Sequence, residues 1–186
     1  WAEAKPLVPF KQLPMLVIDG QHEICQSIAI MKYIETQAGI NIANPVEAAK
    51  ADAILQSAQE LFFPLNPTVN FAVGEDFINK RDEMIPTLIS RFEDLDRALK
   101  MNNATYFIDQ TPRACEFAAF HHLDLSKKLD STILHKFPRL EKFLEDIMSI
   151  DSIKLYLSSR PELVNVSVEP KLVIDGVPHP TGVNKT

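Results

Sequence analysis

Cysteine is scarce in this sequence. Cys25 and Cys115 stand far apart and in no metal-ligand spacing. That pattern argues for a reduced, cytoplasmic chain with no metal site. A dense Lys/Arg run is missing, and the formal charge is −6. Nucleic acid and anionic membrane are therefore poor partners. No apolar stretch approaches the roughly 20 residues of a membrane helix. No signal-peptide pattern opens the chain, so the formal glycosylation acceptors at Asn103, Asn165 and Asn184 are expected to be unused. What remains is an ordinary globular composition, 46% hydrophobic and 24% charged over 186 residues, enough for one or two domains. Trp1, not methionine, opens the chain, as expected of a processed protein or a piece of a longer one.

The first pattern is a hairpin. Met15 to Ile18 is short, apolar and β-branched at its end, Asp19-Gly20 is a turn signal, and His22 to Cys25 is suited to return antiparallel. After Ser27 the period changes to helical through Ile30, Met31, Ile34 and Ala38, with Gly39 as the stop. Asn44-Pro45-Val46-Glu47 reads as a helix start with Asn as N-cap, Pro at N1 and Glu at N3. One stripe runs from Ala51 to Phe62, and Pro64 and Pro67 are expected to bend or end that helix. Ile85, Leu88, Phe92, Leu95 and Leu99 mark the next, with Pro86 starting or kinking it. Thr111-Pro112 predicts another start, leading into a broad, buried apolar face. Leu140, Phe143, Leu144 and Ile147 mark one more helix, and Asp151 is expected to cap a last short one before Pro161. About five helices thus follow the linker at 39–43. In the tail, 161–186, "LVIDG" at 172–176 repeats "LVIDG" at 16–20, which leaves a second hairpin open.

Leu13-Pro14 at the mouth of the first hairpin has two readings. A trans proline opening an edge strand explains it locally. A cis bond would turn the Leu13 N–H and C=O outward, free to pair with an extended peptide. Ser27 likewise has two: a plain N-cap, or a hydroxyl beside the free N–H groups of a helix start, where a carboxylate binds. Taken together, the two features suit a small anionic peptide.

"PFKQLPMLVIDG" followed by "QSIAIMKYI" resembles the N-terminal motif of cytosolic glutathione transferases. Trp1 and Lys5, spaced W-x-x-x-K, resemble a pair in the sigma-like (or sigma/mu/alpha-like) class. "TYFIDQTPRACEFAAFHHLDL" and "FPRLEKFLEDIMSIDSIKLYLSSRP" resemble the family's C-terminal helices. The resemblance covers roughly residues 1–161. It implies an α+β, mostly α chain: a truncated thioredoxin-like lobe of hairpin and helix at 1–39, an all-helical domain at 44–160, and a tail at 161–186. It also implies glutathione as co-substrate. Trp1, Lys5 and Gln12 would meet the glycyl end, Leu13 and the cis bond to Pro14 the cysteinyl unit, and Gln26 and Ser27 the γ-glutamyl carboxylate.

Departures from the family pattern bear on activity. The family's first strand, helix and second strand, with its catalytic Tyr or Ser, would precede Trp1, so no catalytic residue is assigned here. Arg113-Ala-Cys-Glu116 stands where the family has a Ser/Thr-x-x-Asp box, leaving Thr111-Pro112 to cap. Glu60, beside Gln59, falls near an aspartate that reaches across the family's dimer. Lys11 replaces a common glycine and is expected to be solvated.

Other groups have plainer readings. His121 and His122 point different ways on a helix, with His121 nearer the apolar face. Glu93, Asp94 and Asp96 read as a solvated acidic face. Phe62-Phe63 read as core, or else as the wall of an electrophile pocket. Phe10 either covers the hairpin or inserts into a partner subunit.

The expected function is that of an intact parent, a cytoplasmic homodimer conjugating the glutathione thiolate to small apolar electrophiles; this chain is expected to carry the glutathione-binding elements but not the catalytic Tyr or Ser, and so to be inactive alone. One rival is a non-catalytic interaction or structural module of the same fold. Another is a glutathione-dependent isomerase such as a prostaglandin D synthase-like enzyme.

Overall fold

The computed structural model describes residues 2–72 and 74–160, with the backbone of three short strands beyond them. The chain divides into two compact units, Trp1–Ala48 and Ala49–Thr186.

In the first unit a single 3₁₀ turn at Lys5–Leu7 precedes the hairpin of β1 (Met15–Ile18) and β2 (His22–Cys25). The strands pair antiparallel, Met15 with Cys25 through Ile18 with His22. Asp19 and Gly20 both take positive φ, 52° and 66°, and the Gln21 N–H donates to the Ile18 carbonyl at 3.0 Å. This is the tight turn that the Asp-Gly pair predicts. Helix α1 (Ser27–Gln37) packs on both strands. Gly39, at φ 69°, closes it in the expected place. The Gly39 N–H reaches the Thr36 carbonyl and the Ile40 N–H the Glu35 carbonyl, so two otherwise orphaned acceptors are satisfied.

The second unit begins inside α2 (Pro45–Gln59) and contains α3 (Phe62–Phe71), α4 (Gly74–Met101), α5 (Ala114–Leu129), α6 (Pro138–Met148) and α7 (Asp151–Ser159). There are thus six helices after the linker among the described residues. The Asn44 carboxamide oxygen caps α2 as expected, accepting from the N–H groups of Val46 and Glu47 at 2.9 and 3.3 Å. The stripe read as one helix through Phe62 is two. α2 ends at Gln59 and α3 starts at Phe62, with Pro64 in its first turn, where a missing N–H is harmless, and Pro67 inside. Pro86 starts nothing. It lies inside α4, a helix of 28 residues.

The core forms where α3, α4, α5 and α6 meet. Leu65, Leu88, Phe92, Leu95, Leu99, Leu123, Leu140, Phe143 and Ile147 are fully buried or nearly so. The Phe92 and Phe137 rings meet edge to face at 6.0 Å. On α6 the buried positions are Leu140, Phe143, Leu144 and Ile147, the predicted stripe. α7 begins without a side-chain cap. Asp151 is its first helical residue, where its charge faces the positive end of the helix. In the tail, β3 (Val164–Asn165), β4 (Lys171–Ile174) and β5 (Val177–Pro180) form an antiparallel sheet, so the second hairpin is present. Its turn lies outside the described residues.

Candidate functional site

The hairpin register decides what comes together. Met15 and Cys25 are the outermost pair. Pro14 and Gln26 therefore continue from the same rung, and Gln12-Leu13 and Ser27 flank them. These positions open and close the motif in sequence but share one end of the hairpin in space.

The Leu13-Pro14 bond is cis. Leu13 is exposed, at 64%. Its N–H and C=O make no hydrogen bond among the described residues. That is the state in which a backbone can accept an extended peptide. Across the rung, Gln26 occupies the N-cap of α1 at φ 74°, ψ 119°. A non-glycine residue held there stores about 1–3 kcal/mol, a pattern concentrated at binding sites. No side chain caps the helix, so the plain capping reading of Ser27 does not hold. The first helical bond runs from the Ile30 N–H to the Gln26 carbonyl at 3.0 Å, leaving the N–H groups of Ser27, Ile28 and Ala29 without backbone acceptors among the described residues. Free N–H groups and the positive dipole end favour an anion. Lys5 is exposed in the 3₁₀ turn, and Gln12 is exposed beside Leu13. Trp1 lies outside the described residues. Lys11 is exposed, in line with a solvated side chain, at φ 54°.

The entry to α5 departs from expectation. Thr111-Pro112 does not open the helix, which starts at Ala114 with Arg113 as N-cap. The Glu116 carboxylate accepts from the Arg113 N–H at 2.8 Å and from the Phe107 N–H at 3.0 Å. The acidic half of the box is thus kept, with Glu in place of Asp, and it ties the preceding loop to the helix. Asp109 holds the Arg113 guanidinium through two bonds, 2.7 and 2.8 Å, and accepts from the Thr111 N–H at 2.7 Å. Thr111-Pro112 is therefore drawn into a turn. Glu116 has no exposed surface, and burial raises its pKa.

Several single-residue expectations are corrected. His122, not His121, is the buried histidine, at 3% exposure. Neither of its ring nitrogens has a partner among the described residues. Burial, with His121 beside it, holds its pKa at about 4. No sequence signal separated the two, because one residue of helical phase decides it. Phe62 and Phe63 are not core: they are 43% and 76% exposed, and Phe62 sets its ring edge-on to His122 at 6.3 Å. Asp96 leaves the acidic face, being buried and paired with Lys100 at 2.5 Å. Glu60 is exposed and bound by Arg91 at 3.0 Å. Tyr106 is buried, and burial raises its pKa, with Asp146 and Glu116 adding to the shift. That is the wrong direction for a phenol poised to give up its proton.

Comparison with known proteins fits the geometry. Residues 1–36 match the family described as glutathione S-transferase, N-terminal domain, and residues 69–160 that described as glutathione S-transferase, C-terminal domain. A glutathione S-transferase of Plasmodium yoelii yoelii is 32% identical over 158 residues, 84% of this chain and 72% of its own length. The chain belongs to the glutathione S-transferase family. "Glutathione S-transferase P 10" of Caenorhabditis elegans is 30% identical, over 86% of this chain and 74% of its own. Among solved structures, Na-GST-3 of the hookworm Necator americanus, described as monomeric, superposes with a TM-score of 0.79 at 25% identity, over 87% of this chain and 80% of its own. The expected fold class is confirmed: a mostly helical transferase fold, its thioredoxin-like lobe represented by a hairpin and one helix. Among the described residues no helix is long and apolar enough to cross a membrane.

Proposed function

We propose that the end of the hairpin holds glutathione and that the protein conjugates its thiolate to small apolar electrophiles. The observation that carries this reading is the shared rung. An unpaired, exposed Leu13 backbone and an uncapped α1 N-terminus stand at the same end of one hairpin. Glutathione offers a peptide backbone to the first and a γ-glutamyl carboxylate to the second. Gln26 and Ser27 hold that carboxylate. Leu13, set by the bond to Pro14, pairs with the cysteinyl unit. Lys5, Gln12 and Trp1 take the glycyl end, Lys5 by charge. Conjugation needs the sulfur as thiolate, and this reading assigns that task to no side chain within residues 1–186. The glutathione-binding part corresponds to residues 1–39 and the helical part to 44–160. The reading includes a cytoplasmic homodimer, for which light scattering at twice 21.0 kDa is the expected result.

The test is calorimetric titration with glutathione and with cysteinylglycine, which lacks the γ-glutamyl group, followed by a conjugation assay on a chloronitroarene. Glutathione is expected to bind at least about tenfold more tightly, the value of one good charged contact. Equal affinity removes the α1 end from the site. No binding of either replaces this reading with a non-catalytic interaction module.

A further inference from the structure

We propose that the cavity between α5, α6 and α7 binds a small neutral planar ring molecule carrying a hydrogen-bond donor beside an acceptor, as in an aromatic lactam. The cavity has a volume of about 200 Å³ and lies wholly within the second unit. A dry apolar cavity of roughly 150 Å³ is already large enough for a benzene ring. Its walls include Phe117 from α5, Ile147 from α6 and Leu157 from α7. Ile147 is fully buried, so that wall belongs to the core and is rigid.

Two charged residues join this lining, one on a helix and one just after another. Asp124 of α5 and Arg160, which follows α7, form an ion pair through Arg160 Nη2 and Asp124 Oδ2 at 3.2 Å. The bond uses one N–H group of the guanidinium and one carboxylate oxygen. Among the described residues the other N–H groups of Arg160 and the Asp124 Oδ1 have no hydrogen-bond partner. The lining therefore has spare donors beside a spare acceptor, at zero net charge. His121 also lines the cavity, and desolvation lowers its pKa from the usual value.

These features select the ligand class. A carboxylate would gain from Arg160 and be repelled by Asp124. An ammonium would have the converse problem. A lactam satisfies both at once, its N–H donating to Asp124 and its carbonyl accepting from Arg160, while its ring covers the half-exposed Phe117 and Leu157 surfaces. An apolar lining with a few convergent polar groups is the usual make-up of a small-molecule site. The inference is independent of the glutathione reading.

The experiment is ligand-observed NMR and calorimetry on the full chain with isoquinolin-1-one, using 2-naphthoate as the anionic comparison, at pH 7 with and without glutathione. Isoquinolin-1-one is expected to bind with Kd of roughly 0.1–1 mM, the range for so few atoms, and equally with glutathione present. Leu157→Trp, which fills the cavity from a half-exposed position, should weaken it by about tenfold or more with an unchanged circular dichroism spectrum. Asp124→Leu should weaken the lactam and strengthen 2-naphthoate. Three results overturn the proposal: no binding of the lactam up to roughly 5 mM, unchanged binding in both variants, or 2-naphthoate binding the unmodified chain as tightly as the lactam.

Discussion

Met15 pairs with Cys25 on the outermost rung of the hairpin, and the residue beyond each on that rung, Pro14 and Gln26, belongs to the proposed site. One ladder thus sets the spacing between the unpaired Leu13 backbone and the uncapped end of α1. In the proposed reading the hairpin is a ruler for glutathione, and binding should be weakened there without touching the helical core.

Gln26→Ala tests this separation. The backbone at φ 74° is held by the hairpin and by α1, so alanine inherits the same strain. Only the side chain is lost. Glutathione affinity should fall by about tenfold, as for one hydrogen bond to a charged group, with thermal unfolding unchanged. A matching fall in Tm would mean that the side chain supports the fold instead.

The first unit should also be the less stable one. A hairpin covered by one helix is marginal by itself. Among its described residues only Val8, Cys25 and Glu35 are buried. Amide exchange in residues 15–25 should therefore be much faster than in α5 and α6. Saturating glutathione should slow it, since ligand binding stabilises the bound form by mass action. Protection equal to that of α6 without ligand would refute this.

How much of this was legible in sequence depends on the range of the interaction. The Asp19-Gly20 turn, the Gly39 stop and the Asn44 cap are local devices, and each stands where the residues place it. The α6 stripe was readable because its period is clean. The cis bond was legible only together with the helix start that follows it, since by itself the proline has a plainer explanation. Three failures were tertiary. Thr111-Pro112 looked like a helix start until Glu116 reached back to Arg113 and Phe107. Pro86 was open to starting or kinking its helix; it does not start it, since α4 already runs from Gly74. Asp96 looked solvated, but a phase of one residue turns it inward.

Glu116→Gln should destabilise the second unit. The carboxylate uses one oxygen for Arg113 and the other for Phe107. An amide keeps one oxygen and turns a donor toward the second N–H. One buried N–H loses its acceptor, at a cost of about 1–3 kcal/mol. Urea unfolding followed by circular dichroism should show the midpoint falling. An unchanged midpoint would mean that the loop at Phe107 is held by other contacts.

His122 should make stability depend on pH. Its pKa is about 4 in the folded chain, against 6.5 for the free side chain. The unfolded state therefore takes up a proton between these values and the folded state does not. Stability from this group is complete above pH 6.5 and is lost as pH falls toward 4. Between pH 7 and pH 5 the loss is about 2 kcal/mol. Glu116 acts in the opposite sense: its raised pKa means stability from that group falls as pH rises above 4.5. The two are separated by variants. His122→Leu puts an apolar side chain beside Phe62 and removes the two unpartnered nitrogens. It should flatten the loss of stability between pH 7 and pH 5, measured by urea unfolding at each pH, while leaving the Glu116 contribution in place. A slope as steep in His122→Leu as in the parent would assign the pH dependence to other groups.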